Sequence, residues 1–332
     1  MNKFYSSRQF IIGALLVLGV ALPVNNRKFG KVSKNEDIYY IYQDAKTVSE
    51  GINPYARTLD GNMKDNDKYS TYFPLFYELG ALAILVGFED FETWLMFWQV
   101  FMLLFLAGCG FLIFRMVNDQ ADLLLAIFSV LFFFFHRWII NISVIGHIDL
   151  IAAFFLLLSL FYLNKNFKKA LLWFGVSLAI KQIAIFMAPL YLVWAWHNKP
   201  SWKFLGQSTL LAAAIPLAAS LPYLIWNFKA FLYSVFFSAT RKPDANFDAK
   251  SLDALFNISG LVAKLPMLIL VAFVCVLAFK KKLPPYISAF LIMSVFIGFN
   301  SVFYRQYFAW PIVLLPLVFI DIYQFSPAKK LG

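Results

Sequence analysis

The run TWLMFWQVFMLLFLAGCGFLIF, Thr93 to Phe114, contains no charged residue. At ~1.5 Å per residue a helix of this length reaches across a hydrocarbon core of ~30 Å. A helix that is apolar on every side belongs either deep in a large core or in lipid. Composition decides between the two. The 332 residues are 61% hydrophobic and 14% charged, with a mean hydropathy of +0.70. A soluble domain is about half apolar and about a quarter charged. The apolar residues also come in long blocks, as helical spans require and membrane barrels do not. The sequence therefore predicts an all-α, polytopic membrane helix bundle.

Working outward from Thr93–Phe114, uncharged runs mark the other spans. An N-terminal run from Gln9 to Asn26 follows Lys3 and Arg8. It resembles a signal peptide but lacks a small-residue cleavage site, so it reads as a retained first span with a cytoplasmic start. A second span is expected over Tyr72–Phe88, with Glu78 inside it. A short one follows at Leu123–Phe135. The block Trp138–Asn164 is interrupted only by His147 and Asp149, and Ala170–Ile180 and Gln182–Trp196 flank Lys181. Phe204–Asn227, Ala254–Phe279, Leu283–Tyr304 and Gln306–Ile322 complete the set. This makes about ten or eleven spans, some of half length, in a single membrane domain over 1–332. Residues 27–68 form an outer loop and 228–253 a second outer segment. No internal repeat is visible.

The net charge is +11. The basic residues sit between apolar blocks, where the positive-inside rule and anionic headgroups account for them, and no contiguous patch suits nucleic acid. Lys165, Lys168 and Lys169, then Lys199 and Lys203, then Lys280–Lys282, then Lys329 and Lys330 read as cytoplasmic. Arg241–Asp253 and Arg305 are then outside. The parity between the second and fifth spans does not close on this count. Cys109 and Cys275 lie in apolar runs and read as small hydrophobes without a disulfide.

The outer loop contains DIYYIYQDAKTVSE, Asp37–Glu50. Asp37, Ile41, Asp44 and Val48 share one helical face. Tyr39, Tyr40 and Tyr42 suit the membrane interface. Gly51 stops the helix and Asn53-Pro54 starts a turn. A carboxylate at the membrane edge can act as a general base, its pKa raised by partial burial. Asp37 and Asp44 are the candidates. A solvated helix face, with Asp37 favouring the helix N-terminus, explains them as well.

The runs Asp37-Ile-Tyr-Tyr40, Gly51-Ile-Asn-Pro-Tyr55 and Tyr72-Phe-Pro-Leu75 resemble the first outer loop of the glycosyltransferase C superfamily. More narrowly, they resemble its bacterial branch of polyprenyl-phosphate-mannose-dependent mannosyltransferases (glycosyltransferase family 87-like). There an acidic residue follows the first span, then G-x-N-P-Y, then Y-x-P-P-L; Phe73-Pro74 stands here where two prolines are common. The resemblance implies that Asp37 is the catalytic base and Tyr55 a substrate contact. The superfamily often carries D-x-D or E-D in this loop. Glu36-Asp37 is present and D-x-D is not, so a divalent metal is not supported and no cofactor is expected.

Ionisable residues inside apolar blocks are costly and usually face a cavity or a partner. Glu78 either pairs with a neighbouring helix or lines such a cavity. His147 and Asp149 are two apart and would point to different faces of a helix; Asp149 also suits a helix cap. Their segment, Gly146-His-Ile-Asp-Leu150, resembles the G-Q-x-(N/D)-L entry of the same bacterial family, and is similar to the His-containing entry of dolichol-linked glucosyltransferases. Lys181 either snorkels to an interface or binds a carrier phosphate. With Gln182 it opens a K-Q-x-A-x-x-x-A-P pattern that resembles one in superfamily members. Arg305, beside Tyr304, and Arg241 are either interfacial anchors or phosphate contacts by the same likeness.

Phosphate-cradling, dinucleotide, zinc-protease and nucleophile-elbow motifs are absent. The expected function is a membrane glycosyltransferase. It would move a hexose such as mannose from a polyprenyl-phosphate donor to a lipid or glycan acceptor by inverting displacement, with its active site on the outer side of a cell or inner membrane. The rival is a transporter or lipid flippase, with Glu78, Asp149 and Lys181 along its path.

Overall fold

The computed structural model describes residues 2–59, 70–240, 255–256, 258, 261–300 and 304–325. The helices are α1 Asn2–Val24, α2 Asp37–Ser49, α3 Leu75–Leu85, α4 Phe91–Gln120, α5 Leu123–Phe135, α6 Arg137–Ile145, α7 Asp149–Tyr162, α8 Phe167–Ile180, α9 Ala188–Asn198 and α10 Trp202–Thr240. They continue with α11 Leu261–Phe279, α12 Pro285–Phe299 and α13 Ala309–Phe325. Short 3-10 turns lie at Ala56–Leu59, Gln182–Met187 and Arg305–Phe308. No strand occurs among the described residues.

Among the described residues, Ser7–Val24, Phe91–Gln120, Trp202–Phe237, Val262–Phe279 and Gln306–Phe325 are each long and apolar enough to cross a membrane alone. A sixth candidate is the pair α5 and α6, bent by 53°. The break is at His136, whose extended backbone (φ −70°, ψ 123°) ends one helix while its ring Nδ1 accepts from Trp138 N–H and starts the next. The chain is an integral, multi-pass membrane protein.

Interior breaks explain the half-length pieces seen in the sequence. Gly146 closes α6 at φ 82°, a conformation that a Cβ disfavours. Lys181 closes α8 in extended backbone (φ −150°, ψ 121°). Asn227 kinks α10 (φ −155°, ψ 87°), its side-chain oxygen accepting from Ala230 N–H. Irregular backbone of this kind survives in a membrane protein only where other protein covers it or where it lines a wet cavity.

The two ends of the bundle differ in what meets there. At one end α2 packs along α3, and the Tyr42 hydroxyl donates to Glu89 O at 2.6 Å. The α3–α4 corner therefore lies at the same end as α2. The segment entering α3 is at that end too, because the Tyr55 hydroxyl donates to Tyr72 O at 2.7 Å. The expected second span at Tyr72–Phe88 is thus corrected. Helix α3 has 11 residues, ~16 Å, and lies along α2 instead of crossing. Its exposed Leu79, Leu82 and Leu85 recur every third residue and form an apolar stripe.

At the opposite end the Gln120 amide donates to the Tyr286 hydroxyl at 3.3 Å, and His197 Nε2 lies 3.0 Å from Phe279 O. Asp321 Oδ2 accepts from Ile287 N–H at 2.8 Å. With α3 removed from the count, α1, α4, the α5/α6 pair and α7 to α13 alternate in direction. Lys165, Lys168, Lys169, Lys199, Lys203 and Lys280–Lys282 then all fall at the end away from α2, and the parity closes.

Helix α8 sits tightly against α10. A Cβ added to Gly175 would stand 2.5 Å from the Ala212 carbonyl oxygen, a backbone atom that cannot swing aside. Gly175→Ala should force the two helices apart and destabilise the protein by about 1–3 kcal/mol. Thermal unfolding in detergent checks this; an unchanged midpoint would show that the contact yields freely.

Candidate active site

Three helix breaks and the start of α2 converge on one buried cluster. Asp149, the first residue of α7, is fully buried, and Lys181, at the α8 break, is 1% exposed. Lys181 Nζ donates to Asp149 Oδ2 at 2.6 Å, and the Trp310 indole N–H donates to Asp149 Oδ1 at 2.9 Å. Both carboxylate oxygens are therefore engaged. The ammonium also faces the Tyr72 and Tyr307 rings, at 5.0 and 5.8 Å from their centroids. A buried charge needs such compensation, since its hydration is lost. The Gln182 side-chain N–H bonds Thr71 O and ties the α8 break to the chain entering α3. Gln182 Oε1 is buried beside it without a hydrogen-bond partner among the described residues.

Asp37 stands at the rim of this cluster. It is the first residue of α2, half-buried, and its Oδ2 accepts from the Gln306 amide at 3.0 Å. The helix N-terminus favours the charged carboxylate. His147, buried in the turn between α6 and α7, lies within electrostatic reach of Asp37, Asp149 and Lys181. The turn itself is held from below, where the buried Gln99 amide donates to Val144 O at 2.7 Å. Tyr304 meets Tyr307 edge to face at 5.5 Å. Arg305 opens the same 3-10 turn as Gln306. The structure thus brings Asp37, His147, Asp149, Lys181, Gln182 and Tyr304 to one place.

Asp44, Tyr55 and Glu78 lie elsewhere. Asp44 shares the inward face of α2 but is clasped two turns away. Its Oδ1 lies 2.6 Å from Ser70 Oγ and 3.4 Å from an Arg57 nitrogen, and the Tyr77 hydroxyl also bonds it. Tyr55 packs its ring on Tyr223 and Phe231 of α10, at 5.3 and 5.0 Å. Thr58 Oγ1 and Ser234 Oγ, 2.5 Å apart, pin the following turn to the same helix. Glu78 is half-buried on α3. Arg241 lies outside the described residues.

Burial pushes the Asp44 carboxyl up to about 7, against the lowering effects of Arg57, Ser70 and Tyr77. Its folded pKa is then above its unfolded value, so the native state binds the extra proton. This contribution to stability is full below the unfolded pKa and is lost as pH rises through about 7. Between pH ~5 and ~8 the wild type should lose stability relative to Asp44→Asn, by a few kcal/mol. Parallel melting curves for the two proteins at both pH values are the check, and equal slopes would refute it.

Sequence reasoning missed Gln306, Tyr307, Trp310 and Tyr72. Gln306 and Trp310 are four apart at the head of an apolar run, a spacing that places an amide and an indole N–H on one face. Among the described residues no three His, Cys, Asp or Glu side chains gather closely enough to hold a metal ion. No step is assigned to one.

A family model described as Mannosyltransferase (PIG-M) matches residues 224–332, from the second half of α10 onward. GPI mannosyltransferase 1 of Kluyveromyces lactis is 25% identical over 304 residues, covering 85% of this chain and 71% of that protein. GPI mannosyltransferase 1 of Candida albicans is 26% identical over 312 residues, covering 84% and 73%. These matches do not single out the bacterial branch that the loop motifs resemble. They do remove the transporter alternative, because the relatives are transferases that align along most of the chain. The loop motifs and the relatives converge on one assignment: this chain is a membrane-embedded glycosyltransferase, similar along most of its length to GPI mannosyltransferases.

Proposed function

We propose that the chain transfers mannose from a polyprenyl-phosphate carrier to a glycolipid acceptor, with Asp37 as general base. The observation that carries this reading is the placement of Asp37. It is a half-buried carboxylate on a helix N-terminus, held by the Gln306 amide over the junction of the broken helices. In the proposed step Asp37 takes the proton of the acceptor hydroxyl. The freed oxygen bonds to the anomeric carbon of mannose, and the carbon–oxygen bond to the carrier phosphate breaks on the opposite face. The anomeric configuration inverts, and polyprenyl phosphate leaves with the electron pair. The names of the relatives supply mannose and favour a GPI acceptor.

Lys181 was read as either an interfacial anchor or a contact of the carrier phosphate. Its burial and its pairing with Asp149 favour a positioning role instead. The phosphate contacts proposed are Arg305, in the turn next to Gln306, and Arg241. The buried, unpartnered Gln182 Oε1 is an acceptor suited to a substrate hydroxyl. The lysine clusters lie at the end away from α2, and the positive-inside rule makes that end cytoplasmic. The active site would then open on the outer face.

The test follows labelled mannose in membranes containing the full-length protein, with product glycolipid read by mass spectrometry. Mannose offered on polyprenyl phosphate should transfer, and mannose offered on a nucleotide should not. Efficient transfer from the nucleotide would overturn the donor assignment. Equal transfer by wild type and Asp37→Asn would overturn the base.

A further inference from the structure

We propose that the lysine-rich end of the bundle, away from the active site, binds the phosphate of an anionic phospholipid at Lys281. A cavity of about 370 Å³ opens there where the ends of α7, α9 and α11 meet the start of α12. Leu163, Phe167 and Trp194 form apolar walls, while Lys281, His197 and Asn198 offer polar groups at its rim. No Asp or Glu lines it. The connectors at 163–169, 197–203 and 280–284 carry Lys165, Lys168, Lys169, Lys199, Lys203 and Lys280–Lys282, and no acid. The cavity is therefore cationic at the mouth and apolar within. Those features suit a lipid headgroup whose chains remain in the bilayer, and basic pockets between membrane helices take such headgroups.

The backbone supplies an independent observation. Lys281 has φ 53°, the one non-glycine residue in the left-handed region among the described residues. Its N–H bonds Ala278 O and the Lys282 N–H bonds Leu277 O, both at 2.9 Å, which closes α11 in the turn that normally places glycine at this position. A side chain there is strained, so folding by itself would favour glycine. A strained residue that also brings a cation to a cavity points to a ligand. The relevant phosphate is that of a lipid, because the apolar walls add nothing for a free ion.

Lys281→Gly separates the two roles, since it relieves the backbone while deleting the charge. The full-length protein is placed in nanodiscs of phosphatidylcholine alone or with added phosphatidylglycerol, and unfolding is followed by tryptophan fluorescence. Phosphatidylglycerol should raise the wild-type midpoint by about 3 °C. Lys281→Gly should melt at or above the wild type in phosphatidylcholine and lose that gain, and Lys281→Gln should lose it too. A full gain in Lys281→Gly would overturn the proposal, since the other lysines would then suffice. Inorganic phosphate reproducing the gain in phosphatidylcholine would overturn the lipid assignment. So would a wild type that ignores phosphatidylglycerol.

Discussion

Asp37→Asn is expected to slow transfer by roughly 10²–10⁴-fold while leaving the fold intact. The amide is nearly isosteric with the carboxylate, and its oxygen can still accept from Gln306, so the contact across 269 residues of sequence persists. What is lost is the ability to take a proton. Removing the charge from the first turn of α2 costs only about 0.3–1 kcal/mol. Initial rates over a donor series, paired with melting midpoints, distinguish the two effects. The turnover number should fall with little change in the donor concentration for half-maximal rate. A fall in rate that tracks a fall in stability would reassign Asp37 to the fold. Gln306→Ala should show a milder loss, since the base survives but its orientation does not.

Lys181→Met should be the most damaging single change to stability, by about 3–5 kcal/mol. The substitution fills similar space but leaves Asp149 fully buried, with only the Trp310 indole N–H, among the bonds described, still donating to it. Breaking a buried pair costs more than removing it whole, because the surviving charge keeps its desolvation penalty. The double variant Lys181→Met with Asp149→Asn should therefore melt above Lys181→Met alone. The asparagine oxygen can still accept from Trp310, which avoids orphaning the indole N–H. A double-mutant cycle on unfolding midpoints measures the coupling. Additive effects would mean that the 2.6 Å contact contributes little. Activity should fall in every member of the cycle, because the pair fixes where α7 and α8 break.

The individual helices illustrate what a linear reading can find. Helices α1, α4, α11 and α13 announce themselves, since lipid burial depends on the apolar content of each segment taken singly. The short α5 and the short α8, the latter ended by Lys181, were visible as apolar runs too brief for a full crossing. Helix α3 was misread because hydropathy registers apolar length and not direction. Tyr72–Phe88 has enough apolar residues to suggest a span, yet it lies along α2, as the Tyr42 bond to Glu89 and the Tyr55 bond to Tyr72 reveal. Asp44 was grouped with Asp37 for a sound helical reason, the shared face. The clasp of Ser70, Arg57 and Tyr77 that takes it away from Asp37 comes from residues that no spacing rule connects.

The membrane bundle, helix α2, the acidic residue at its start and the polar positions Asp149 and Lys181 were all determined by the sequence itself. Propensity, hydropathy and the cost of charge in lipid act residue by residue, and so can be read along the chain. The tertiary structure decided who partners whom. It joins Asp149 to Lys181 across 32 residues and to Trp310 across 161. It brings Gln306 to Asp37, and it lays α3 beside α2. Such pairings depend on helix packing and on where each helix breaks, and the energy that selects them belongs to the assembled interior and to no single segment.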